Sequence, residues 1–182
     1  IRGRDYTLGK DADIPLNVDL KFRELDRGAK VKIDDGKIVF KVIEKISSTK
    51  IRIRSINSGK IEQRKGVNIS GLEINLPTLQ KKDIEYAKMA MKLNLDWIAL
   101  SFVRSKEDRI PLDQLFKRAK HTIPLIAKVE KSEAIDNIDS IIDSYEGVLI
   151  ARGDLGLELE LEKVPSLQKR IVKRCNQRCK PV

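Results

Sequence analysis

The chain has 182 residues, 37 Lys+Arg against 27 Asp+Glu for a formal net charge of +10, 41% hydrophobic and 35% charged residues, and one histidine. That is enough for one ordinary globular, soluble domain or two small ones with real cores. It leaves no apolar run near the ~20 residues that span a bilayer, no charged-then-apolar leader, too few ligands for a zinc site, and too few aromatics for a base-stacking platform.

Residues 1–70 hold 17 of the basic and 10 of the acidic residues, so the excess charge sits in the first part of the chain. Such a bias suits phosphate-bearing partners, although a solvated lysine-rich face is the plainer explanation. Here short β-type runs alternate with turns: Lys30-Val31-Lys32-Ile33, then Asp34-Asp35-Gly36, then Ile38-Val39-Phe40-Lys41-Val42-Ile43, and later Lys50-Ile51-Arg52-Ile53-Arg54. Period-two alternation around an Asp-Gly turn predicts hairpins and a small all-β module, a barrel or a sandwich. Gly71 and Asn75-Leu76-Pro77-Thr78 break the pattern, with Thr78 as a candidate helix N-cap.

Beyond this break the period becomes helical. Ile84, Ala87 and Met91 predict one helix, Leu112, Leu115, Phe116 and Ala119 a second, Ile135, Ile138 and Ile142 a third, and Leu167, Ile171 and Cys175 a fourth. Between them lie apolar strands over 97–103, 125–129 and 148–151. Helices alternating with buried strands predict an α/β fold with a parallel sheet. Three strands are too few to close an eight-stranded barrel, so the chain reads as a piece of a larger α/β domain. Cys175 and Cys179 read as reduced structural thiols, and a cytoplasmic location follows by default.

Two strand ends carry the chemistry. In Pro124-Leu125-Ile126-Ala127-Lys128-Val129-Glu130, the lysine and the glutamate share a face. In Val148-Leu149-Ile150-Ala151-Arg152-Gly153-Asp154-Leu155-Gly156, an apolar strand runs into a glycine-punctuated turn with one carboxylate. A lysine in an apolar run needs an anionic partner or ligand, and two carboxylates at neighbouring strand ends offer hard oxygens to a divalent cation. The plain alternatives are an edge-strand ion pair for Lys128 and Glu130 and an Asx-type turn for Asp154. His121 reads as a loop residue and Arg104 as structural.

The ordered set Lys65-Gly66-Val67-Asn68, Ser101-Phe102-Val103-Arg104, Lys128-Val129-Glu130, Ala151-Arg152-Gly153-Asp154-Leu155-Gly156 and Lys180-Pro181-Val182 resembles the pyruvate kinase family. The resemblance covers nearly the whole chain and is strongest from Lys65 onward. It implies a (β/α)₈ TIM barrel with an inserted small all-β lid domain, residues 1–70 being the lid and 71–182 supplying barrel strands four to six. It implies a glycolytic phosphotransferase that passes the phosphoryl group of phosphoenolpyruvate to ADP, giving pyruvate and ATP, with Mg²⁺ or Mn²⁺ and with K⁺. By the same resemblance Lys128 is the catalytic residue and Glu130 and Asp154 are the metal ligands. Ala151, Arg152, Gly153, Ser101 and Phe102 then bind the substrate, and Lys65 binds the nucleotide phosphates. The Asp34-Asp35-Gly36 turn matches a lid turn, or is a plain hairpin turn.

Glu160 stands where the family commonly has proline and Cys179 where it has glycine, and Arg2 is a candidate match for the arginine that follows the family's nucleotide-contact strand, an alignment that two residues do not fix. Ligands for phosphate and K⁺ on the first barrel strands, and the C-terminal domain, are expected outside this chain, so the isolated chain is expected to be inactive. The complete enzyme is expected to be a homotetramer without nucleic-acid or membrane partners. Two other classes remain open: a Mg²⁺-dependent lyase or aldolase of the pyruvate-binding barrel type, which has no use for a basic lid, and a basic β-barrel binding module.

Overall fold

The structure is a computed structural model that describes residues 3–18, 20–72 and 78–182. Arg2 and the Asn75-Leu76-Pro77 break lie outside the described residues. The chain divides into two compact units, Ile1–Asn75 and Leu76–Val182.

In the first unit, strands β1 (Asp5–Gly9), β2 (Ile14–Pro15), β3 (Lys30–Ile33), β4 (Ile38–Lys45), β5 (Lys50–Ser55) and β6 (Val67–Ile69) form one sheet in the order β2-β1-β5-β4-β3-β6. It is a single sheet, not two stacked ones. Registers Leu8↔Ile51, Val42↔Ile53, Val31↔Phe40 and Val31↔Ile69 place buried apolar side chains opposite one another on one face. The other face collects Lys30, Lys41, Arg52 and Arg54, and there the guanidinium of Arg54 forks onto the Asp5 carboxylate at 2.6 and 2.9 Å. Part of the uneven charge of the sequence therefore lies on the outer face of this sheet, where Asp5 and Glu44 pair with Arg54 and Arg52. At Gly9 (φ +142°) a Cβ would come within 2.2 Å of the Thr49 carbonyl, so only glycine lets β1 lie this close to the start of β5.

In the second unit, β7 (Ile98–Leu100), β8 (Leu125–Val129) and β9 (Gly147–Ile150) make a parallel sheet with β8 in the middle. Helices α1 (Lys81–Lys92), α2 (Ile110–Ala119), α3 (Ser132–Asp136), α4 (Ile138–Ser144), α5 (Arg152–Glu158) and α6 (Val164–Gln177) alternate with the strands and cover a core that includes Leu112, Phe116, Leu125, Ala127, Val129, Ile141 and Ile171. Past α6 the chain returns to the sheet, where the Val148 N–H donates to the Pro181 carbonyl at 3.0 Å. No helix among the described residues is long and apolar enough to cross a membrane.

Four expectations change. The strand expected over 97–103 stops at Leu100, because Phe102 adopts φ +58° and turns the chain. The third helix is two pieces meeting at Asn137, whose side-chain amide donates to the carbonyls of Arg104 (3.0 Å) and Glu133 (3.2 Å). The glycine-punctuated segment after β9 is no turn but the first residues of α5, with Gly156 inside the helix and close to Leu161, where a Cβ would press on Cδ2 of that exposed side chain. Thr78 does not cap α1: Gln80 does, with its N–H donating to the Asp83 carboxylate at 2.7 Å.

The end of α6 explains an unusual residue. Lys180 N–H donates to the Cys175 carbonyl (2.9 Å) and Cys179 N–H to that of Asn176 (3.1 Å), a Schellman closure that puts Cys179 at φ +52°. A side chain at that position costs about 1 kcal/mol. Cys179→Gly is therefore expected to raise the unfolding midpoint in urea, and a lowered midpoint would contradict the closure.

Tyr145, fully buried after α4, has a hydroxyl without a hydrogen-bond partner, and burial raises its pKa. What holds the ring is apolar packing and the Arg109 guanidinium, 5.3 Å from its centroid; Arg109 also pairs with Asp113 (2.9 Å) and Glu146 (3.4 Å). Tyr145→Phe is expected to keep or raise stability by about 1 kcal/mol, since it removes only an unsatisfied polar atom. Tyr145→Ala is expected to cost about 3–5 kcal/mol through the cavity. Thermal unfolding of both variants checks the pair.

Candidate active site

Alternation along β8 sends Leu125, Ala127 and Val129 into the core and leaves Ile126 and Lys128 on the other face, with Glu130 in register just past the strand end. β8 is the central strand, so Lys128 and Glu130 are not an edge-strand pair. Lys128 Nζ donates to Ser101 Oγ at 3.0 Å and lies 2.5 Å from Glu130 Oε1. Glu130, only 2% exposed, accepts the Phe102 backbone N–H on its second oxygen at 3.1 Å. A carboxylate this buried is tolerable only because both oxygens are engaged, one by a full positive charge.

The partners arrive because two neighbouring strands end at the same level. Leu100 pairs with Ala127, so the next residues, Ser101 and Phe102, sit over Lys128 and Glu130. The left-handed Phe102 aims its N–H at the carboxylate and leaves its own ring exposed. On the other side Val129 pairs with Ile150, and the Ala151 N–H donates to the Val129 carbonyl at 3.2 Å, bringing the start of α5 beside Glu130. Arg152, Gly153 and Asp154 are exposed in the first turn of α5, where backbone N–H groups have no intrahelical acceptor. Lys131 holds the far end of this helix by an ion pair of 2.5 Å to Glu158.

Ser101, Phe102, Lys128 and Glu130 thus form one bonded cluster, with Ala151 beside it and Asp154 on the adjoining helix turn. Among the described residues no three His, Cys, Asp or Glu side chains converge to hold a metal ion. Two carboxylates suit Mg²⁺, which usually takes one or two from the protein and completes its shell with water and phosphate oxygens. In donor type Glu130 and Asp154 match that pattern.

Lys65 belongs to the first unit. Its ammonium is 3.1 Å from Asp34 Oδ1 and 3.8 Å from Glu62 Oε2, and it borders a recess of about 600 Å³ with Arg4, Tyr6, Asp13, Arg64 and Val67. Sequence reading missed Arg4, Tyr6 and Asp13, which the pairing of β1 with β5 and the bonds between Asp13 and Thr7 bring there. Arg104 is structural, donating to Thr78 Oγ1 at 3.1 Å, and His121 lies in a loop. Glu160 is an exposed partner of Lys163 at 3.1 Å.

Residues 4–182 match the family model described as pyruvate kinase, barrel domain. The chain belongs to the pyruvate kinase family. It is 39% identical over 155 residues to a pyruvate kinase of Mycobacterium tuberculosis, covering 85% of this chain and 33% of that relative. It is 37% identical over 156 residues to one from Staphylococcus aureus, covering 85% of this chain and 27% of that relative. A crystal structure of a pyruvate kinase from Cryptosporidium parvum superposes with a TM-score of 0.88 at 32% identity, covering all of this chain and 39% of the other. The chain spans about a third or less of the length of these curated relatives. Membership of the family is consistent with the parallel α/β sheet of the second unit.

In the turn between β3 and β4, hydrogen bonds from Lys37 (3.0 Å) and Lys65 hold the Asp34 carboxyl below its ordinary pKa, and Asp34 in turn holds the Lys65 ammonium above its own. The carboxyl's contribution is present above its unfolded value of ~3.9 and is lost as pH falls through the lower folded value; the lysine's is present below ~10.4 and is lost as pH rises through the higher one. A carbon-detected titration of Asp34 is expected to give a midpoint below ~3.9. A midpoint at or above that value would show that the contact does not persist in solution.

Proposed function

We propose that the chain forms part of a phosphotransferase that moves the phosphoryl group of phosphoenolpyruvate to ADP, giving pyruvate and ATP. The observation that carries this reading is Lys128, an ammonium fixed at the C-terminal end of the central strand by Ser101 Oγ at 3.0 Å and by the buried Glu130. Phosphoryl transfer asks little covalent work of a protein and depends on positioned charge at the moving group. A cation presented at strand ends, where barrel enzymes keep their chemistry, meets that need. Residues 1–70 then act as an inserted lid, and 71–182 supply strands four to six of a (β/α)₈ barrel.

Within that reading Glu130 and Asp154 would hold Mg²⁺, which when bound neutralises charge on phosphate oxygens. Lys128 would donate to the transferring phosphoryl group and to the enolate oxygen left behind. The backbone at Ala151, Arg152 and Gly153 would hold the substrate carboxylate, Ser101 and Phe102 would line the pocket, and Lys65 would contact nucleotide phosphates. Ser101 Oγ, the one side-chain hydroxyl assigned here, is committed to Lys128, so these residues do not by themselves fit a K⁺ site. The resemblance also carries a cytoplasmic, homotetrameric whole. A Mg²⁺-dependent lyase would share the carboxylate pair but leave Lys65 and its basic unit without a task.

In the complete enzyme, Lys128→Met is expected to lower kcat by several orders of magnitude with little change in apparent substrate affinity, the mark of a group that acts in the transition state. Asp154→Ala is expected to abolish metal-dependent turnover while leaving the fold intact by circular dichroism. A coupled assay with phosphoenolpyruvate, ADP, Mg²⁺ and K⁺ checks both; a Lys128→Met enzyme that mainly raises KM, or an Asp154→Ala enzyme active at saturating Mg²⁺, would refute the roles. The 182-residue chain alone is expected to show no turnover in the same assay.

A further inference from the structure

The turn that carries Ser101 and Phe102 is exposed at its tip, yet it presents two groups to the buried centre with fixed geometry. Phe102 does so from φ +58°, a conformation that a bulky residue keeps only where its surroundings over-determine it. Val103, fully buried, anchors the next position. Beyond it the chain is tied by one carboxylate. Asp108 Oδ2 accepts the backbone N–H groups of Arg104 (2.7 Å) and Ser105 (3.0 Å), and Asp108 Oδ1 accepts the Thr78 hydroxyl at 2.6 Å. Asn137 closes the other side by donating to the Arg104 carbonyl at 3.0 Å.

We infer that Asp108 is a positioning residue for the reaction: by clamping the backbone at Arg104 and Ser105, it holds Phe102 left-handed and keeps Ser101 Oγ and the Phe102 N–H on Lys128 and Glu130. This deepens the phosphotransferase reading and rests on it for its functional meaning. Asp108 itself touches neither Lys128 nor Glu130; it acts only through the five-residue turn. The three bonds it accepts are charge-assisted, which makes them stronger than neutral ones and difficult for a neutral side chain to replace in full. Without them Val103, the Asn137 amide and the Arg104 bond to Thr78 remain, a weaker restraint against relaxation of Phe102 to negative φ, and that relaxation turns its N–H away from Glu130.

The test is residue-resolved amide exchange on the whole ¹⁵N-labelled chain, with Phe102 as the reporter and Ala127 and Val129 of β8 as internal controls. Asp108→Ala is expected to speed exchange at Phe102 at least tenfold with the β8 amides unchanged. It is also expected to move the Phe102 amide proton upfield, as Glu130→Gln is expected to do by weakening the acceptor. Asp108→Asn keeps one oxygen for the Arg104 and Ser105 N–H groups and is expected to restore most of the protection. Unchanged Phe102 exchange in Asp108→Ala overturns the inference. So does equal acceleration at Ala127 and Val129, which would mean that Asp108 serves only global stability. These readouts need no turnover, so a failed Lys128→Met prediction would remove the phosphotransferase reading without altering what they say about the turn.

Discussion

The second unit is organised around a carboxylate almost wholly withdrawn from water. Glu130 is placed beyond the end of the central strand, where the protein must supply the hydrogen bonds and charge that water would have given. Lys128 supplies the charge and Phe102 the backbone donor. Each makes a demand of its own: Lys128 must leave the strand on the same face as Glu130, and Phe102 must adopt a backbone conformation that it would not choose alone. A buried pair of this kind adds little net stability, and removing one partner typically costs several kcal/mol. Its value is a cation held in one orientation at a strand end.

Local stiffness follows from that demand. The turn after β7 is secured by Asp108, Thr78 and Asn137, and the start of α5 by the Ala151 hydrogen bond to Val129 and the Lys131 to Glu158 pair. Two flanking segments are thus fixed by groups that do not meet Glu130. In the first unit the arrangement is different. Lys65 is held by Asp34 and Glu62 within a half-open recess, so its ammonium is oriented but can exchange these carboxylates for another anion.

Much of this was legible in the residues. Period-two alternation located β3, β4 and β5, and the helical period located α1, α2 and α6, because each element buries one face and its apolar spacing records that face. Lys128 and Glu130 stood out since an apolar run has no other reason to carry two charges. Asp154 is legible but its setting is not: two glycines suggest a turn, whereas the segment is the first part of a helix.

What the sequence determined by itself is what depends on neighbours along the chain: element type, the shared face of Lys128 and Glu130, the concentration of charge before residue 71, and the motif order that marks the family. The tertiary structure decided what depends on register between strands. The pairing of Leu100 with Ala127 puts Ser101 and Phe102 over the lysine and glutamate, and that of Val129 with Ile150 brings α5 alongside. The left-handed turn at Phe102 and the split helix at Asn137 belong to the same class. The bonds from Arg104 and Ser105 to Asp108 span only four and three positions and follow a Ser105-to-Asp108 capping pattern, but those of Asp108 with Thr78 and Asn137 with Arg104 join residues 30 and 33 positions apart, and no local pattern of side chains encodes a contact of that range.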